Sequence, residues 1–149
     1  MEMVQIKGVD STDRVTNAEL AAGAKLIVRE RLLTHGTQSA VSTYVVDLNG
    51  DEASTDLVSR SVAKDQSIQT FNSKINGNAK CSGHSECDAI IMDDAKIIAV
   101  PGLTANNIDA ALIHEAAIGK IAGEQIVKLM TLGLTEEEAE AQIVNGFLK

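Results

Sequence analysis

The sequence predicts a mainly β protein with a helical C-terminal end, and three observations support this fold class. Before Pro101, short segments rich in Val, Ile, Thr and Ser recur roughly every ten residues between turn signals. After Pro101, the apolar residues take a helical spacing. A helix-capping sequence precedes the last apolar stripe. We therefore expect a β core over residues 1–101 and a helical region over residues 102–149, packed as one compact unit.

The strand signals come in order along the first hundred residues. Residues 43–48 have the composition of a strand and are followed by the turn signal Asn49-Gly50. Residues 67–75 alternate between two faces and lead into a second turn signal at residues 76–78. Two apolar runs, 89–92 and 96–100, are divided by Asp93-Asp94. This spacing indicates many short strands rather than a few long ones.

One earlier stretch, residues 17–33, fits two structures. Four apolar residues lie four apart, as in an amphipathic helix: Leu20, Ala24, Val28 and Leu32. In the same stretch Leu26, Val28 and Glu30 alternate, as in a strand. Local pattern alone leaves both structures open.

The helical signals lie after Pro101. Residues 107–113 predict a short helical turn, and residues 123–130 predict a helix that ends at the C-cap Gly133. Thr135 and Glu138 form a capping box, and the acidic first turn suits a helix N-terminus. An apolar stripe follows at Ala139, Ile143, Val144 and Phe147. Two short helices joined by a glycine turn predict a helical hairpin.

Composition excludes several classes of function. Thirteen basic and 21 acidic residues give a net charge of −8, which disfavours nucleic acid as a partner. Aromatic residues are 2% of the chain and there is one proline, which disfavours base-stacking and proline-rich recognition. No apolar run approaches a membrane span, and the first ten residues lack a signal-peptide pattern. With only two cysteines, we expect a cytoplasmic protein without structural disulfides.

The densest group of potential ligands is Cys81, His84 and Cys87. Thiolate and imidazole suit zinc or iron. In an extended strand Cys81 and Cys87 face the same way but lie about 20 Å apart, so one metal would need a bend between them. On spacing alone, a buried structural cysteine and a surface histidine fit this segment at least as well.

A second group is His114-Glu115, which offers an imidazole and a carboxylate. The second histidine of a zinc-protease helix is absent from this segment. A lone histidine of this kind packs or accepts a hydrogen bond more often than it binds metal. The sequence has neither a nucleophile elbow nor a phosphate-binding loop, so a hydrolase is the least expected function.

These segments and the C-terminal hairpin resemble the SufB/SufD family. Residues 83–93, Gly-His-Ser-Glu-Cys-Asp-Ala-Ile-Ile-Met-Asp, are similar to the Cys-Asp-Ser segment of the family's last strands, and residues 100–103 to its proline turn. Residues 113–121 resemble its His-Glu-Ala-Thr helix-entry motif. Residues 133–139 and 143–147 resemble its C-terminal hairpin. The resemblance is specific over residues 76–148 and loose before them.

The resemblance implies a fold and a role. The fold is a right-handed parallel β-helix of short rungs followed by a small helical region, which favours a strand over residues 25–32. The role is that of a non-enzymatic scaffold in iron–sulfur cluster assembly. The C-terminal helices would dock a SufC-type ATPase, and the β-helix would pair with a SufB/SufD-type partner or with itself, most simply as a homodimer.

The resemblance also implies site residues. Cys87 matches the family's cluster-binding cysteine, Glu115 its glutamate, and His114 the histidine of SufD-type members. These three residues would hold an iron–sulfur cluster transiently, between facing subunits, and mixed ligation keeps a cluster releasable. Cys81 and His84 are weaker candidates, from their spacing alone. The balance between SufB-like and SufD-like roles and the cluster type stay open. Family members are roughly twice this length or more, so a fragment and a short homologue are both expected possibilities.

Two alternatives to the scaffold remain. One is a structural or regulatory β-helix module that binds Suf partners without a cluster. The other is a small zinc protein that uses Cys81, His84, Cys87 and His114.

Overall fold

The chain folds as a parallel β-solenoid of about four turns with two helices at its C-terminal end, in a computed structural model that describes residues 2–5 and 11–149. The strands of these described residues are β1 Glu2–Gln5, β2 Ser11–Leu20, β3 Lys25–Thr34, β4 Ser39–Leu48, β5 Ser54–Ala63, β6 Ile68–Gly77, β7 Ser82–Ile91, β8 Lys96–Ala105 and β9 Ala111–Gly119. The helices are α1 Gly123–Met130 and α2 Glu136–Phe147. The mainly β class, the parallel β-helix and the helical end are thus confirmed.

The strands alternate between two parallel sheets that face each other. Sheet A has the order β1-β3-β5-β7-β9, and sheet B has the order β2-β4-β6-β8. Each strand pairs in parallel with the strand two positions along the chain, for example Ser59 with Cys87. Each circuit therefore stacks directly on the one before it, as in other solenoids.

Alternation of side chains explains why these segments are strands. From β3 to β7, every second residue is buried between the sheets, and its neighbours face outward. In the ambiguous stretch, residues 25–34 form β3, as the resemblance implies, because Val28, Glu30 and Leu32 all point inward. Tertiary stacking here outweighs the local helical spacing.

The interior of the solenoid is mostly aliphatic, with polar residues set among the apolar ones. Leu48, Leu57 and Ile75 are fully buried, and the rings of Tyr44 and Phe71 pack at a centroid distance of 5.8 Å. Several inward polar side chains form hydrogen bonds with one another, as in the bond from Ser85 Oγ to Ser73 Oγ at 2.8 Å. Such pairing removes most of the penalty for burying them.

The turns between strands repeat with the solenoid. The Asn78 amide donates to Asn49 Oδ1, and the Asn106 amide donates to Asn78 Oδ1, each at 2.7 Å. At the opposite turn, Asp65 and Asp93 both have a positive φ, at 59° and 55°. The predicted turn at Asn49-Gly50 is confirmed, whereas in residues 76–78 the first two residues still belong to β6.

Helix α2 packs against the outer surface of sheet A. Val144 and Leu148 form a second apolar cluster with Val62 and Met92. The predicted capping box is confirmed: the Thr135 hydroxyl accepts from the Glu138 amide, and the Glu138 carboxylate accepts from the Thr135 amide. Helix α1 has the predicted bounds, but its C-cap is Thr131 rather than the predicted Gly133, which lies two residues farther on with a φ of 98°. The contact between α1 and α2 completes the predicted hairpin.

The expectation that helical structure follows Pro101 is wrong for residues 102–119. Pro101 lies inside β8, opposite Ser73, and residues 111–119 form β9. Residues 107–113 are therefore a turn and the start of a strand, and His114-Glu115 lies on a strand rather than at a helix entry. The helical spacing led to a wrong prediction because the side chains of β8 and β9 are only partly buried, so apolar and polar residues do not alternate regularly along these strands. The division at residue 101 stays a prediction about domains.

Among the described residues, no helix combines the length and the hydrophobicity that crossing a membrane would require.

Candidate functional site

The predicted site residues lie on β7 and β9, which are neighbours in sheet A. In their parallel register Ser85 lies beside His114, Glu86 beside Glu115, and Cys87 beside Ala116. Paired residues in a sheet point to the same face, and the face alternates along each strand. Cys87 and His114 consequently face the interior of the solenoid, whereas Glu86 and Glu115 face outward.

On the outer face, three potential metal ligands converge. One ligand atom from each of His84, Glu86 and Glu115 lies within 4.8 Å of the other two. His84 shares its face with Glu86 because the two are two residues apart on β7. Strand β9 supplies the third group, so the cluster exists only when these two strands are paired.

Residues from β3 and β5 orient the imidazole of His84. Its Nδ1 lies 2.8 Å from Asp56 Oδ1, and its Nε2 lies 3.2 Å from Glu115 Oε2. The Arg29 guanidinium donates in turn to Asp56 Oδ2. The result is a chain of polar contacts, Arg29–Asp56–His84–Glu115, that crosses four adjacent strands of sheet A.

The pKa values in this chain follow from these contacts. The hydrogen bond with Asp56 raises the pKa of His84, burial opposes the rise, and Glu115 adds to it. Burial raises the pKa of Asp56, but hydrogen bonds from His84 and Arg29 outweigh it and bring the pKa below its usual value. The His84 imidazole thus lies between two carboxylates, and both favour its protonated form.

Glu86 lies among further charges on the same face. A hydrogen bond with Asp88, together with burial, raises the pKa of Glu86. Beside it opens a cavity of about 270 Å³ whose walls include Arg29, Arg60 and Asp56. Glu86 itself lines this cavity, so its carboxylate lies at the boundary between the cavity and the cluster.

On the inner face, Cys87 is a buried thiol. It is 1% exposed and belongs to the main apolar core. Burial raises the pKa of Cys87 to about 11, and the charges of Asp88 and Glu30 act in the same direction. At neutral pH the side chain is therefore protonated, and only the thiolate is a nucleophile or a good ligand.

A buried carboxylate lies two strands away from Cys87 in the same inward column. Glu30, Ser59 and Cys87 are in register on β3, β5 and β7. Glu30 is 2% exposed and accepts hydrogen bonds from Tyr44 at 2.8 Å and from Ser59 at 3.0 Å. Arg14 approaches the same carboxylate at 3.5 Å. The column brings polar groups close to the thiol inside an otherwise apolar core.

His114 faces inward on the last strand of the solenoid. Its Nδ1 is buried and has no hydrogen-bond partner among the residues that the structure describes. His114 and Cys87 share a face on neighbouring strands and are offset by two residues, which separates their Cα atoms by roughly 8 Å. A buried imidazole nitrogen without a partner is unusual and marks a position where a ligand would be stabilising.

The structure thus brings some of the predicted site residues together and separates others. Cys87 and His114 share the inner face, while Glu115 lies on the outer face with His84. The four ligands of the zinc alternative do not converge, because Cys81 and Cys87 are packed in the core and His84 faces outward.

Sequence reasoning missed Glu86 and Asp56. The signal that would have found them is the circuit length: Asp56 and His84 are 28 residues apart, and Glu86 and Glu115 are 29 apart. Residues one circuit apart stack in a solenoid, so a search at that spacing would have placed both carboxylates beside their partners.

Comparisons with known proteins converge on one family. The model of the SUF system FeS cluster assembly, SufBD core domain, matches residues 3–147. An iron–sulfur cluster assembly SufBD family protein of Methanothermobacter thermautotrophicus is 43% identical over 105 residues, which cover 69% of this chain and 26% of that protein. The iron–sulfur cluster assembly protein SufB of Bacillus subtilis is 34% identical over 139 residues, which cover 91% of this chain and 29% of that protein.

A SufBD family protein of Methanocaldococcus jannaschii is 39% identical over 105 residues, which cover 70% of this chain and 33% of that protein. The chain therefore spans about a quarter to a third of the length of these curated relatives.

Proposed function

Because the chain belongs to the SufBD family of iron–sulfur cluster assembly proteins, we propose that it is a non-enzymatic scaffold component of a SUF-type system. In this role it holds iron and sulfide transiently as cargo and docks a SufC-type ATPase. The observation that carries the proposal is the shared inner face of Cys87 and His114 on β7 and β9, where the imidazole Nδ1 has no partner among the described residues.

The chemistry of these two side chains suits a transient site. Thiolate and imidazole both bind iron, and a mixed set holds a cluster less firmly than four thiolates do. Cys87 must first lose its proton, which burial opposes, so cluster binding requires that the last circuit opens or that iron displaces the proton. Glu115 lies on the opposite face, and a role beside Cys87 would need a facing subunit or a rearranged β9.

The helical hairpin is the proposed docking element for the ATPase. Helix α1 has no buried residue, and it leaves Val127 and Met130 exposed, with Leu132 exposed at 73% in the following turn. Such a group of apolar side chains on a short helix favours contact with another protein. The β-helix would in addition pair with a SufB/SufD-type partner or with a second copy.

The burial of Cys87 favours a second candidate function. A module that binds Suf partners without handling a cluster needs no accessible thiol, and Cys87 is 1% exposed. Under this alternative Cys87 is a core residue, and the chemistry belongs to another subunit.

Anaerobic reconstitution with ferrous iron and sulfide, in the presence of the SufC-type ATPase, distinguishes the scaffold from the module that binds partners without a cluster. We expect the wild type to copurify with the ATPase and to develop the visible absorption of a cluster, with native mass giving the number bound per oligomer. Cys87→Ser should lose the cluster and keep the ATPase. Cys81→Ser is the matched control, since Cys81 is the other buried thiol of the same core. Normal cluster formation by Cys87→Ser would refute the scaffold role.

A further inference from the structure

We propose that the outer face of sheet A carries a divalent metal site formed by His84, Glu86 and Glu115, separate from the inner face of Cys87. The inference rests on the proposed function in one respect only: within a SUF-type system the metal would be ferrous iron, held on the opposite side of the sheet from the thiol.

The first argument is the convergence of the three ligands. Their ligand atoms lie within 4.8 Å of one another, a spacing that a single ion at 2.0–2.2 Å from each can draw together with small side-chain rotations. Glu86 and Glu115 are directly paired across β7 and β9, and like charges in that position destabilise a sheet. A divalent cation between them would convert this repulsion into attraction.

The second argument is independent of the first and concerns His84. Metal-binding histidines usually donate the N–H of one ring nitrogen to a carboxylate, which fixes the tautomer and leaves the other nitrogen to the metal. Asp56 Oδ1 lies 2.8 Å from His84 Nδ1, and His84 Nε2 faces Glu115. Asp56 is itself held by Arg29. The hydrogen-bond partners that usually orient a metal-binding histidine are therefore already present, as Arg29 on β3 and Asp56 on β5.

The ligand types indicate which metals fit. One imidazole nitrogen and two carboxylate groups suit ferrous iron, manganese, cobalt and zinc, and they lack the sulfur that copper(I) prefers. Two carboxylates also balance the charge of a divalent ion. Glu115 is well exposed, so an ion could exchange with solvent or be passed to another ligand set.

Cobalt(II) is a suitable probe because its spectrum reports the ligands. We expect the wild type to bind one Co²⁺ per chain at neutral pH, with visible bands from nitrogen and oxygen ligands and without a thiolate charge-transfer band. His84→Gln and Glu115→Gln should weaken binding at least tenfold, and Asp56→Asn about 10- to 100-fold, since it acts through His84. Cys87→Ser should bind like the wild type, as should the matched control Glu124→Gln on the exposed helix α1.

Two outcomes would overturn the site: no Co²⁺ binding by the wild type, or binding by His84→Gln and Glu115→Gln that is as tight as binding by the wild type. Paramagnetic broadening of backbone resonances at residues 84–86 and 113–115 of the wild type gives a second test that needs no variant. A negative Co²⁺ experiment would not change the reconstitution result for Cys87→Ser. A negative reconstitution would likewise leave the Co²⁺ site standing, so the two proposals are tested separately.

Discussion

Cys87 shows how far burial alone can determine the chemistry of a residue. Its neighbours in sequence, Glu86 and Asp88, face solvent, while its own side chain lies between the sheets near Glu30. The folded protein therefore strongly favours the neutral thiol. This preference affects the stability of the protein as well as the reactivity of the thiol. In the unfolded chain the same side chain is exposed to water, so its pKa differs between the two states.

At the residue scale, we predict that Cys87 makes the protein less stable as the pH rises from about 9 to about 11. The folded pKa is about 11 against an ordinary value of 9.0, so within this window the unfolded chain releases the proton and the folded chain retains it. The stabilisation is complete below pH 9 and is lost as the pH passes the folded pKa. Two pKa units correspond to about 2–3 kcal/mol.

Urea denaturation at a series of pH values measures this effect. Cys87→Ser should remove the part of the decline that belongs to the thiol, while Cys81→Ser should keep it. Burial also raises the pKa of Tyr44, but that contribution is common to all three proteins and cancels. Parallel pH profiles for the wild type and Cys87→Ser would contradict the prediction.

At the scale of the elements, stacking of one circuit on the next limits which side chains the turns accept. Gly50 lies against the preceding turn, where an added Cβ would come within 2.0 Å of the Ala22 backbone nitrogen. Gly146 in α2 is a glycine of the opposite kind, because an added Cβ would meet no atom within 4 Å.

We therefore predict opposite effects for the same substitution at these two positions. Gly50→Ala should lower the free energy of unfolding by at least about 3 kcal/mol, since backbone atoms must move apart. Gly146→Ala should raise it by up to about 1 kcal/mol, because alanine favours the helix. Urea midpoints of both variants give the comparison. Equal stability of Gly50→Ala and the wild type would contradict the close contact between the two turns.

The elements also show what the sequence could and could not predict. Alternation identified β6 and the capping box identified α2, because both signals lie within a few residues of chain. Strand β3 needed the family resemblance, since Val28 and Leu32 also fit a helix. Strand β9 was missed because most of its side chains are exposed, and because its one strand partner in the described part of the chain is β7.

The candidate site likewise contains residues that local sequence could predict and residues that it could not. Cys87, His114 and Glu115 carry a family pattern that is local in sequence, so they could be named in advance. Their faces could not, because a shift of one residue in register would exchange the inner and outer sets. Asp56 and Glu86 join the site only through stacking across circuits, which a reading of neighbouring residues does not detect.

At the scale of the whole molecule, the last described circuit leaves the core uncovered. Leu103 on β8 and Ile118 on β9 occupy inward positions, yet they are 37% and 40% exposed. Strands β8 and β9 each pair on one side only among the described residues, so their outer edges offer free backbone groups to another chain. A second copy that stacks on this end would cover both features at once.

We accordingly predict that the chain forms a homodimer through the β8–β9 end. Leu103→Lys should shift the protein towards the monomer in sedimentation velocity, because a buried lysine at the interface would lack a partner for its charge. Val15→Lys is the matched control: Val15 is 63% exposed and lies on β2, at the opposite end of sheet B. A wild type that stays monomeric at about 100 μM, the range of weak association, would refute self-pairing. Equal dissociation of Val15→Lys and Leu103→Lys would contradict a contact confined to the β8–β9 end.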